Sequence, residues 1–228
     1  MNALDKTALN RNLDSKGRAG SAARVLRAGA LALGAALLLP ACAPVLVGGA
    51  AVSSALVSTD RRTAGTQVED TNIELKSAAR IRDLVGGRAH VNVTSYNRQV
   101  LLTGEAGEAR DRELVEKAVR SVEGVRLIVN EIAIAGSSSL TSRSNDAILT
   151  ARVKAAYLDA KDLHAQSIKV VTERSVVHLM GRVTAREADR ATQVARGIPG
   201  VQKVVRVFEL LTEAELANIE ASQGLKKK

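Results

Sequence analysis

Aromatic residues are almost missing from this chain of 228 residues: Tyr96, Tyr157 and Phe208 are the whole set. Surfaces that read single-stranded nucleic acid stack bases on aromatic rings, so the shortage argues against a nucleic-acid partner. Cysteine is limited to Cys42, which excludes a disulfide framework and any zinc site built from several thiolates. His90, His164 and His178 stand at no metal-ligand spacing, so neither a metal nor any other cofactor is expected. A hydrolase would need a nucleophile beside a histidine and an orienting acid, and no GxSxG elbow occurs. Asp159 and Asp162 read as a helix end and a turn rather than an acid/base pair. Gly197-Ile198-Pro199-Gly200 spells a GxxG but joins a helix to a strand, which is a turn and not a phosphate clamp. No catalytic residues and no small-molecule substrate are expected; the chain does not read as an enzyme.

What is present is apolar content of 46%, enough to bury a core, and a formal charge of +9. Residues 1–41 hold six Lys/Arg against Asp5 and Asp14, so four of those nine charges belong to the N-terminal segment. The remainder is weakly basic, and Lys226, Lys227 and Lys228 supply three of its five excess charges. Such a balance tolerates an anionic membrane surface without demanding one.

The N-terminus has a basic segment to Arg27, an apolar run over Ala28–Leu39, and then Leu39-Pro40-Ala41-Cys42. Twelve apolar residues fall short of the roughly 20 a bilayer span requires but suit the core of a secretory signal. The ending resembles a bacterial lipobox, with Leu39, Ala41 and Cys42 in place and Pro40 in the permissive middle position. That resemblance implies a mature chain beginning at a lipid-modified Cys42. Its two or three acyl chains would anchor firmly, since each buried CH₂ contributes about 0.8 kcal/mol. Ala43 is not the aspartate that marks inner-membrane retention, which implies outer-membrane sorting. The rival reading is a membrane helix over Ala28–Val57, interrupted by Pro40, Pro44, Gly48 and Gly49.

The body is one unit written twice. Val91-Asn92-Val93 and Val100-Leu101-Leu102-Thr103-Gly104 recur 77 positions later as Ile168-Lys169-Val170 and Val177-His178-Leu179-Met180-Gly181. Glu123-Gly124-Val125 matches Pro199-Gly200-Val201 at an offset of 76, so one residue has been lost in the intervening helix. Each copy reads helix, strand, strand, helix, strand. The first copy gives 72–85, 90–95, 99–104, 108–121 and 125–135. In the second, Asn145 or Asp146 caps a helix to Leu158, followed by 167–172, 175–183, 185–197 and 201–211. The second helix of that copy sets Ala188, Ala191, Thr192 and Ala195 on one side. The expected fold class is α+β, with two tandem domains, each a three-stranded sheet covered by two helices. The expected boundaries are a signal peptide over 1–41, a lipidated segment and polar linker over 42–70, domains over 71–136 and 145–211, a joint over 137–144 and a tail over 212–228.

The twice-repeated Val-x-Leu-x-Gly, helix, Gly-Val, strand pattern resembles the BON-domain family. With the lipobox and the linker Asp60–Asp70, it is similar to that family's two-domain outer-membrane lipoproteins. The resemblance implies a non-enzymatic protein on the periplasmic face of the outer membrane. It further implies support of envelope integrity and binding of anionic phospholipid by the first helix of the second domain.

That helix can be read without the family. At about 100° per residue, Leu149, Val153, Ala156 and Tyr157 form a core-facing stripe. The opposite side carries Ile148, Ala151, Ala155 and Leu158, with Arg152 and Lys154 at its edges. Apolar tips flanked by cations suit shallow contact with an anionic phospholipid membrane. In the first copy, Ile73, Ser77, Ile81 and Leu84 are expected inward and a mixed-charge face outward. The alternative for Ile148 and Leu158 is packing on the first domain. The alternative for the whole protein is an adaptor that binds another envelope protein through strand edges or the tail.

Overall fold

The computed structural model describes residues 60–222. Helix α1 spans Ala64–Val85 and buries Ile73, Ser77, Ile81 and Val85 along one stripe. Its start is set by Thr63, whose hydroxyl accepts from the Thr66 N–H. The helix thus begins eight residues before the expected Asn72, and the expected linker over 60–70 is largely its cap and first turns. The stripe also ends on Val85 rather than Leu84, which is exposed. Strands β1 (Ala89–Tyr96) and β2 (Gln99–Ala106) pair antiparallel through a turn at Asn97-Arg98. Helix α2 (Ala109–Arg120) carries the chain back so that β3 (Leu127–Asn130) pairs parallel to β2. A short β4 (Ala133–Ile134) continues along the same side of β2.

The second copy repeats this with α3 (Leu140–Asp159), β5 (Ile168–Glu173), β6 (Val176–Thr184), α4 (Ala185–Arg196) and β7 (Lys203–Leu211). Strand order is β1-β2-β3 in one sheet and β5-β6-β7 in the other, with the middle strand second in sequence both times. Helix α5 (Glu213–Ser222) follows, and Thr212 and Glu215 cap it reciprocally. Helix α3 starts at Leu140 because Ser139 accepts from the Ser142 N–H, so the expected joint over 137–144 shrinks to the residues before Leu140. Neither Asn145 nor Asp146 caps it. Asp146 lies inside the helix, buried, and accepts from the backbone N–H groups of Arg174 and Ser175, both at 2.8 Å.

Gly104 stands within β2, not at the end of the strand expected over 99–104, and Gly181 stands within β6. A Cβ would collide with the carbonyl oxygen of His90 at the first and of Ser167 at the second. Close approach of the neighbouring strand is therefore what demands glycine there.

The helix-facing sides of the sheets make two cores. Val100, Leu102 and Ala106 meet Ile81, Val85, Val115 and Val119; Val177, Leu179 and Val183 meet Val153, Tyr157, Ala188, Ala191 and Ala195. The expected inward set on α4 is buried in full. The opposite side of β2 (Leu101, Thr103, Glu105) and of β6 (His178, Met180) is buried as well. A strand buried on both sides needs a second layer, and here each sheet is the other's. Tyr96, Leu101, Met180 and Val207 form that shared apolar cluster, with Val129, Val171 and Val205 against it.

Candidate functional site

Because the domains meet sheet to sheet, the helices are left on the outside, and α3 presents a complete outer face. Its 20 residues make a rod about 30 Å long at 1.5 Å per residue. The inner side is fixed by the burial of Leu149, Val153 and Tyr157. It is also fixed by Tyr157 donating to the Ala191 carbonyl at 2.9 Å and by a 2.7 Å hydroxyl bond from Thr150 to Thr172. Burial pushes the Tyr157 phenol pKa up, so it stays a neutral donor. With the Asp146 bonds to the β5–β6 turn, these contacts fix which way α3 faces.

On the outer side Ile148 is 50% and Leu158 70% exposed. Ala151, Arg152, Lys154 and Ala155 are exposed with them. Neither Arg152 nor Lys154 has a hydrogen-bond or ion-pair partner among the described residues. All six residues singled out on this helix therefore stand together on one accessible surface. Packing of Ile148 and Leu158 on the first domain, the alternative raised by the sequence, does not occur; that contact is made by β2 and β6. Since Asp146 is buried, Asp159 is the one acid of α3 that reaches solvent. Helix α1 differs: Val68 and Leu75 are exposed, but Glu69, Glu74 and Asp83 are interleaved with Lys76, Arg80 and Arg82. Cys42, the expected signal peptide and the rival span over Ala28–Val57 lie outside the described residues. Among the described residues no helix is long and apolar enough to cross a membrane, and no group of three or more His, Cys, Asp or Glu could hold a metal ion.

The segment entering the body is pinned to both domains, which the sequence reading missed. Arg61, 3% exposed, makes two 2.8 Å bonds to the Glu187 carboxylate and one of 2.9 Å to the Arg182 carbonyl. Burial alone would raise the Glu187 pKa, but the Arg61 bonds and the Thr184 N–H outweigh it and hold the carboxyl below its ordinary value. Arg62 bonds Asp60 and Asp70 and lies 4.1 Å over the Tyr96 ring of the first domain. The one signal in the sequence is Thr184-Ala185-Arg186-Glu187, which spells a capping box and places an acid at the start of α4.

Each domain is a mixed sheet with two helices on one face, and the two are joined back to back through the bare faces, which defines a tandem α+β architecture. The model of the BON domain matches residues 69–136 and again 145–212. The chain belongs to the BON-domain family and carries two copies. It is 35% identical over 184 residues to the outer membrane lipoprotein DolP of Haemophilus influenzae, covering 80% of this chain and 95% of that one. It is thus a dual-BON chain of the DolP type. A 21 kDa hemolysin of Actinobacillus pleuropneumoniae is 34% identical over 155 residues, 65% of this chain and 78% of that one. The osmotically-inducible protein Y of Escherichia coli is 39% identical over 61 residues, 26% of this chain and 30% of that one. A solved structure of CdsD, a structural protein of the Chlamydia trachomatis type III secretion system, aligns with a TM-score of 0.26 and 12% identity. That alignment covers 63% of this chain and 96% of that one, and its low score bears on neither fold nor function.

Proposed function

We propose that this protein is an outer-membrane lipoprotein, held on the periplasmic face through Cys42, that supports envelope integrity by resting α3 on anionic phospholipid. It acts by binding and not by catalysis. The observation that carries the reading is the outer face of α3: Ile148 and Leu158 exposed near its middle and end, with Arg152 and Lys154 between them lacking a partner among the described residues. Burying such an aliphatic side chain is worth about 1.5–3 kcal/mol, and each cation near an anionic surface about 1 kcal/mol. Those terms make a weak, reversible contact, which matters once an acyl anchor has confined the body to the surface. The near full-length likeness to DolP, an outer membrane lipoprotein by name, supports the anchoring half of the reading.

Vesicle flotation of a non-lipidated chain tests it. Binding to phosphatidylglycerol vesicles that falls at least tenfold with Ile148→Asp or Leu158→Asp, and falls with salt, is expected. Equal binding by the variants would overturn the role of α3. A second reading, an envelope adaptor, is favoured by β7, whose nine residues pair only with β6 among the described strands. Such an open edge accepts an extended peptide.

A further inference from the structure

A cleft of about 700 Å³ opens between the two domains, lined by none of the six residues on the outer face of α3. Both domains line it: Arg112 and Glu131 from the first, Glu173, Arg174 and His178 from the second, and Ser138, Ser139 and Ser142 at the start of α3. Glu173 accepts from Asn92 at 2.9 Å, and the other charges form only long ion pairs. The Arg174 guanidinium stops 3.6 Å from Glu105, and Glu131 stops 3.9 Å from His178 Nε2 and 4.0 Å from Lys203. Arg112 spends its hydrogen bonds on Asn130 rather than on a carboxylate.

The polar groups behind this rim are buried and only loosely bonded. Glu105 is 1% and His178 2% exposed, and among the described residues neither side chain has a close hydrogen bond: Glu105 has Arg174 at 3.6 Å, and the His178 ring has the Val171 backbone and Glu131 at 3.9 Å. Buried polar atoms are nearly always bonded, so groups left open against a cleft mark where something else supplies the partner. His178 lines the cleft and is held there only loosely, by the Val171 backbone and the distant Glu131.

The walls are balanced in sign, two arginines against two glutamates. A simple anion would meet Glu131 and Glu173, and a simple cation would meet Arg112 and Arg174. The first turn of α3 adds hydroxyls and the positive end of a helix dipole beside the arginines. The volume lies in the range of small-ligand sites. We propose that this cleft binds a short zwitterionic peptide. Its carboxylate lies against Arg112, Arg174 and the start of α3, and its ammonium against Glu131, with Glu173 beside it. This site is independent of the lipid-binding reading.

Histidine-ring NMR on the full mature chain tests the proposal, with His178 assigned by its loss in His178→Gln and His164 as an internal control. Tri-alanine is the probe, N-acetyl-tri-alanine amide the uncharged counterpart and inorganic phosphate the plain anion. Saturable movement of the His178 signals by tri-alanine alone is expected, with a dissociation constant on the order of 1 mM. Arg174→Asn, which tolerates the positive φ of that position, and the more exposed Glu131→Gln should each weaken binding roughly tenfold. The proposal fails if tri-alanine up to about 10 mM leaves His178 unmoved, if the capped peptide binds equally well, if phosphate reproduces the shifts, or if both folded variants bind as the parent does.

Discussion

Asp70 and Asp146, 76 positions apart, do the same thing in their two domains: each reaches from the first helix to bond both backbone N–H groups of the hairpin turn. Asp70 takes Asn97 and Arg98 at 2.8 and 2.7 Å, and Asp146 takes Arg174 and Ser175 at 2.8 Å each. All four turn residues have positive φ without being glycine. Such turns cost backbone energy, and a buried carboxylate accepting two N–H bonds offsets it. Asp146→Ala should therefore lose about 2–4 kcal/mol, read as a lower urea midpoint at an unchanged denaturant slope. Ser175→Gly, which relieves the conformation and keeps the bonds, should be neutral or slightly stabilising.

Arg61 and Glu187 are buried together, so removing either leaves a charge without its partner. Arg61→Ala and Glu187→Gln should each cost about 3–5 kcal/mol. A double-mutant cycle checks this: the double variant should be less destabilised than the two singles summed. Additive losses would mean that Arg61 acts through packing and not through the ion pair.

Met180 is fully buried in the apolar cluster between the sheets. Met180→Ala should cost about 2–5 kcal/mol by leaving a cavity. Met180→Asp should separate the domains while each keeps its own core. Small-angle scattering should then give a larger radius of gyration, with far-ultraviolet circular dichroism nearly unchanged.

Burial holds the His178 pKa below its ordinary value, against the pull of Glu131. On lowering pH through about 6.5, the unfolded chain takes up a proton before the native one does, so stability falls with falling pH in that window. His178→Gln should flatten the slope between roughly pH 7 and 5.5. Glu173 works oppositely. Burial raises its pKa, so its contribution is greatest below the ordinary carboxylate value and is lost as pH rises through the native one.

The αββαβ repeat was legible because alternation and helical periodicity are local. Val100 and Leu102, or Val177 and Leu179, announce the core side of a strand by themselves. The core stripe of α3 followed from spacing alone at Leu149, Val153 and Tyr157. Helix starts were less legible. Thr63 and Ser139 stand in polar stretches that look like linkers, and their capping bonds become visible only with the helix in place. Asp146 was misread as a cap for a similar reason: the N–H groups it binds lie 28 and 29 residues away. The outer face of α3 was readable as a composition, but its accessibility was not.

By itself the sequence determined two α+β units, the order of their elements along the chain and the apolar, cationic side of one helix, since each follows from residue spacing within a single unit. The tertiary structure alone decided which surfaces the units spend on one another. Leu101 and Met180 look like the solvent-side residues of alternating strands until two sheets are laid together. Once they are, their apolar area leaves water, α3 is turned outward, and the buried His178 side chain is brought to the wall of a cleft between the domains. Burial of one surface against another depends on residues far apart in the chain, and no local pattern encodes it.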